Sequence, residues 1–216
     1  MDTSTLNNHY LNTKSQKLYR VSPLKNYIVD KIDSNQNIKR LCRYLTKTPL
    51  LNKGLAYDGV MTKQPDLIGS LTEFSTDDDY ASVKDAVLTP YPFSEDIISE
   101  KKVSLYVYSP RTSFTTSGGD MVGKHTFIIE IVYPMEYNII EPFGQERANL
   151  IACEILNEFD GVHVNDELRE LIGDCQFKVG GDLTNLRLSK AGYMIATVPL
   201  VVSFLGMRTD YQEDSY

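Results

Sequence analysis

Between residues 103 and 204 four β-forming runs are interrupted, after the second, by one amphipathic helix, and that order constrains this chain more than its composition does. The runs 103–108 (VSLYVY) and 124–133 (KHTFIIEIVY) alternate and are rich in β-branched and aromatic residues, the pattern of half-buried strands. In the second run, alternation puts His125, Phe127, Ile129, Ile131 and Tyr133 on one face. Ser109 and Pro110 close the first strand, and Pro134 stops the second. A helix over about 145–159 follows, with Ala148, Ile151, Ala152, Ile155, Leu156 and Phe159 on one stripe. Glu141 and Glu146 sit near its start, where the helix dipole favours acids, and Gly161 follows its end. Asn165 caps a short helix to Ile172 that Gly173 closes. Residues 175–179 (CQFKV) and 193–204 (YMIATVPLVVSF) supply the last two strands. Pro199 cannot donate to a ladder, so it marks an edge or a bulge. The order β-β-α-(α)-β-β implies an α+β fold: a small, mostly antiparallel four-stranded sheet with a helix packed on one face.

Ahead of this domain, taken as residues 103–208, lies an N-terminal helical and irregular extension, residues 1–102, and behind it a short acidic tail, 209–216. Residues 1–21 are polar, with Leu6, Tyr10, Leu11, Leu18, Tyr19 and Val21 as isolated anchors, and read as an arm that orders against something else. Ser22 followed by Pro23 starts a helix carrying Leu24, Tyr27, Ile28 and Ile32. After a break at 33–35, a second helix carries Ile38, Leu41, Cys42 and Leu45 before Pro49 ends the segment. Residues 46–102 are irregular but keep apolar residues throughout, unlike a Gly/Ser linker. The strip Leu88–Phe93, stiffened by Pro90 and Pro92, can lie across a hydrophobic groove, which makes Tyr91 and Phe93 candidate partner contacts beside Tyr10 and Tyr19 of the arm.

Charge divides the chain unevenly. Residues 1–63 hold eleven Lys/Arg against four Asp/Glu, a balance of +7, and residues 64–216 hold −14, within a net −7. The overall acidity argues against a general nucleic-acid binder. The basic residues are spread rather than gathered into a run, so the acidic body of a neighbouring identical subunit suits them better than nucleic acid. No apolar run approaches the roughly 20 residues of a membrane helix, and the first residues lack the apolar stretch of a signal peptide, so a protein made in the cytoplasm is expected. Cys42, Cys153 and Cys175 are odd in number and widely spaced, and are expected to be buried, apolar and unpaired.

Chemistry is scarce. His9, His125 and His163 show no HxH or HExxH spacing, and no phosphate-cradling or GxSxG pattern occurs. His125 on an apolar strand reads as structural. Glu130 interrupts that strand on the face opposite Phe127 and reads as an outward-projecting acid, and Glu136 and Glu141 flank a turn without a partner acid. Asp77, Asp78 and Asp79 read as solvated surface, without the glycine and distal Glu of a calcium loop. No catalytic, cofactor-binding or metal-ligating residue is assigned. Residues 111–123 (RTSFTTSGGDMVG) read as a long polar loop that works by position, with Phe114 and Met121 gaining partners on assembly.

The segments VSLYVYSPR, KHTFIIEIVYP, EPFGQERANLIACEILNEF, CQFKVGG and GYMIATVPLVVSF, spanning roughly residues 103–208, resemble in order and character the tail terminator family of bacteriophage neck proteins and its relatives in head–tail connection. The resemblance implies a virion protein without catalytic residues or cofactors, assembled as a closed six-fold or twelve-fold ring. Portal-side connector and tail proteins are its implied neighbours, and genome DNA passes through the channel without sequence-specific binding. Residues 1–102 exceed what a minimal terminator carries. The alternatives are a non-viral or host-side protein-binding α+β domain, or an enzyme with an unrecognised site.

Overall fold

The computed structural model describes residues 21–52, 62–63, 66–72, 87–93, 102–117, 120–140, 144–180, 187–189 and 192–208. Helix α1 (Val21–Ser34) carries Pro23 in its first turn, where the missing N–H costs nothing, and buries Leu24, Ile28, Val29 and Ile32. At its end Asn35 turns extended, and its side chain accepts from the Asn37 and Ile38 amides at 3.0 Å, starting helix α2 (Gln36–Arg43). That helix stops at Arg43, before Leu45 and well before Pro49. Two-residue strands β1 (Leu51–Asn52) and β2 (Thr62–Lys63) pair with each other, and β3 (Leu88–Thr89) runs parallel to the next strand.

Strands β4 (Ser104–Ser117) and β5 (Asp120–Pro134) form a hairpin much longer than expected. Ser109 and Pro110 do not close β4. They oppose Phe127 alone, as the register shifts between Tyr108 and Arg111, so the proline sits in a bulge where its missing donor is tolerated. Pairing then continues from Arg111–Thr126 to Ser117–Asp120. The expected loop 111–123 is therefore mostly ladder: its Thr and Ser residues are β-compatible, and only 118–119 lie outside the described residues. A 3₁₀ turn (Met135–Tyr137) leads to β6 (Ile139–Ile140), which pairs with β7 (Gln145–Glu146) at the entry to α3 (Arg147–Phe159). Helix α4 (Asp166–Ile172) is capped by the Asn165 side chain and ended by Gly173 at φ +86°. Strands β8 (Cys175–Val179), β9 (Arg187–Leu188) and β10 (Tyr193–Arg208) complete the fold.

The main sheet has six strands in the order β3-β4-β5-β10-β8, with β9 also on β10. The expected antiparallel four, β4, β5, β10 and β8, are part of it, but the parallel β3 makes it mixed and β9 extends it. Pro199 sits inside the central β10 rather than on an edge. In a strand a residue's N and C=O point to the same side, and the Pro199 carbonyl accepts from Gly180 N at 2.7 Å. The proline nitrogen therefore faces Gly180, just past the last ladder pair of β8 with β10, Leu200–Val179, and short of β9, which pairs at Met194 and Ile195. The missing donor falls at the end of the ladder and not inside it. The outer edge of β8 is covered by 161–164, with Val164 N donating to Cys175 O and Phe177 N to Val162 O.

One core lies between the sheet and the helices. Leu105, Val107, Phe127, Ile129, Ile131, Phe177, Val198 and Leu200 meet the buried stripes of α1, α2 and α3. The first two helices thus share the core of the 103–208 domain. Arg147 opens α3 fully buried, and its guanidinium donates to the carbonyls of Tyr137 (2.7 Å), Thr46 (2.7 Å), Tyr44 (3.2 Å) and Leu41. Leu41 lies in the last turn of α2, so a cation satisfies carbonyls that the helix leaves orphaned at its negative end. No helix among the described residues is long and apolar enough to cross a membrane.

Candidate functional site

Alternation along the strands sends every second residue away from the helices. On that far face Tyr106, Val132 and Ile195 make a small separate cluster with Phe93 and Tyr193, to which no helix contributes. Beside it Tyr108, Ile128, Glu130, Thr197 and Arg187 line a shallow groove of about 290 Å³. Glu130 faces away from Phe127 as expected, but it is buried rather than projecting into water. Arg187 of β9 donates from Nη2 to Glu130 Oε1 at 2.5 Å, and the Tyr108 hydroxyl hydrogen-bonds to the same carboxylate. Burial, reinforced by the Glu130 charge, pushes the Tyr108 hydroxyl up to about 12, so it stays a protonated donor. The groove therefore presents an apolar and aromatic floor with one carboxylate at its base and one guanidinium, 59% exposed, at its rim.

A second organised feature lies on the helix side. Five side chains from the end of α1 and along α2 hold the main chain or flank of segment 66–72. Gln36 accepts from Leu67 N (2.9 Å) and donates to Leu67 O (3.3 Å); Lys39 donates to Gly69 O (2.6 Å) and Arg43 to Ser70 O (3.2 Å). Asp33 accepts from Leu71 N, and the buried Arg40 pairs with Asp66. Leu71 anchors the segment in the core, and Gly69 takes φ +102°, a conformation that side chains resist. The tip that results is Ile68, fully exposed.

The residues singled out in the sequence fare differently. Phe114 and Met121 lie within the hairpin ladder and not in a loop, opposite Gly123 and Thr116. Tyr91 is exposed, with Lys25 Nζ 5.5 Å from its ring centre. Phe93 is half-buried, edge-on to Tyr106 at 5.3 Å, so this chain already uses it. Tyr10, Tyr19, His9, Glu141 and Asp77–Asp79 lie outside the described residues. His125 is fully buried against Phe127, its Nε2 2.6 Å from the Ser109 hydroxyl, and burial lowers it to about 4. It bonds across the ladder to the bulge. His163 pairs with Asp174 at 3.2 Å on the surface. Cys42 and Cys175 are buried, and burial pushes Cys42 up to about 12; Cys153, expected inside, is exposed on α3. Among the described residues no three of His, Cys, Asp and Glu gather as metal ligands would. Sequence reasoning missed Arg187, Asp66 and Ile68. The ion pairs of the first two span 57 and 26 residues, which periodicity cannot see.

No family model and no curated protein matches this chain.

Proposed function

We propose that this chain is a structural virion protein of a bacteriophage neck, related to tail terminators, which closes into a ring joining head to tail. One observation carries the reading. Strands of 14, 15 and 16 residues (β4, β5 and β10) run on together after their short neighbours have ended, β3 at Tyr106 and β8 at Phe204. At about 3.4 Å per residue the hairpin is about 50 Å long, and its tip, Thr115–Ser117 with Asp120–Val122 and the end of β10 from Leu205 on, projects about 10 Å past the last pair with β8. A projecting three-stranded tip gains its burial from neighbours, and identical tips related by a rotation axis line a channel. In this reading the ring is six-fold or twelve-fold, its neighbours are portal-side connector and tail proteins, and DNA passes without sequence readout. The virion is then its place of work. Negative-stain electron microscopy of the native protein beside the double variant Phe114→Ser, Met121→Ser tests the reading. Rings are expected from the native chain, and from the variant few or none with nearly unchanged monomer stability. Equal ring formation by both would contradict the role given to the hairpin.

A further inference from the structure

Ile68 and the groove on the far face of the sheet make a matched pair. A lone exposed isoleucine is ordinary on a protein surface, but this one stands on a turn whose backbone is fixed by Gln36, Lys39 and Arg43 and whose flank is tied by Arg40 to Asp66. Such bonding removes the entropy cost of ordering the turn on contact, which is what makes a small apolar knob effective in binding. On the other layer the groove is open, floored by Ile128 and Tyr108, and large enough at about 290 Å³ for a butyl side chain. Charges match as well: Asp66, 73% exposed, stands two residues from the knob, and Arg187 stands at the rim of the groove.

We infer that Ile68 of one copy of this chain seats in the Tyr108–Ile128–Thr197 groove of a second copy, with Asp66 of the first against Arg187 of the second. The knob belongs to the helix layer and the socket to the opposite face of the sheet, so one copy cannot return the contact to the partner that receives its knob. The interface is head-to-tail, and repeated by rotation it closes a ring. This inference rests on the ring reading above and assigns its subunit contact.

Two variants test it. Ile68→Asp keeps the socket and loses the knob; being fully exposed, the site has no packing to disturb. Thr197→Trp fills the socket and keeps the knob. Each alone is expected to associate on the order of thirtyfold more weakly than the native chain in mass photometry, the loss typical of a central anchor. Mixed one to one, they should form pairs of chains and nothing larger, because one knob meets one socket. If Thr197→Trp fails to fold, adding Ile68→Asp to the native protein serves instead, since a chain without a knob caps growth and should shorten the assemblies. Native-like assembly of Ile68→Asp alone, a mixture that stays monomeric with both variants folded, or native assemblies indifferent to added Ile68→Asp would each overturn the contact while leaving the ring standing. A native chain that stays monomeric at every concentration would overturn both.

Discussion

Replacing Arg147 by Met removes the charge and its donors while keeping most of the aliphatic stem. Four backbone carbonyls then lose a donor: Tyr137 and Thr46 at 2.7 Å, Tyr44 at 3.2 Å, and Leu41. Hydrogen bonds from a charged group are each worth about 1.5–3 kcal/mol, and a buried acceptor left alone costs about 1–3 kcal/mol. Against this stands relief from burying the guanidinium, whose pKa burial already lowers. Removing one member of a buried charged network usually costs about 3–5 kcal/mol net, and that is the expected loss here. For a chain of this size it corresponds to a fall in Tm of about 6–20 °C. Arg147→Lys should land between, since a single ammonium cannot reach carbonyls spread around a planar fork. Urea unfolding followed by circular dichroism gives the number. A loss below about 1 kcal/mol would refute the reasoning, because it would mean that the carbonyls of α2 do not depend on this side chain.

Gly180→Ala should destabilise by about 1–3 kcal/mol, since an added Cβ would lie 2.9 Å from Cγ of the rigid Pro199 ring; thermal melting reads it. Asn35→Ala should cost about 1–2 kcal/mol, because Asn35 both caps α2 and donates to Glu154 and Glu158 of α3, and denaturant titration checks it. His125, lowered by burial to about 4 from an ordinary 6.5, binds its proton more weakly in the folded state. Its stabilisation is fully present above pH 6.5 and is lost as the pH falls toward 4, up to roughly 3 kcal/mol. Stability measured across pH 4–7 should therefore flatten in His125→Gln, and an unchanged slope would show that His125 does not carry it.

The central strands and the main helix were legible because their burial is periodic: Phe127, Ile129 and Ile131 at period two, Ala148, Ile151, Ile155 and Phe159 at the helical period. The caps Asn165 and Gly173 that bracket α4 were legible too, as local chemistry dictates, whereas Asn35 was visible only as part of a break at 33–35 whose first two residues belong to α1. The hairpin was read short because Ser109 and Pro110 look like a stop and the residues beyond lack apolar alternation. A bulge and a paired neighbour make strand of what reads as loop. Pro199 reads as peripheral because sequence cannot show that the β8 ladder ends just before it, at Leu200–Val179. At the candidate site the floor was half visible, in Tyr108, Ile128 and Glu130 on readable strands. The rim residue Arg187 and the fixed knob Ile68 depend on contacts between distant segments, and nothing local announces them.

Assembly into a closed ring is tested most directly by the mass of the native chain in solution. A closed ring predicts one discrete species at six or twelve times the 24.5 kDa of a single chain, with a central channel in electron micrographs of the same sample. A single chain at every concentration, or an open filament without a fixed mass, would contradict it.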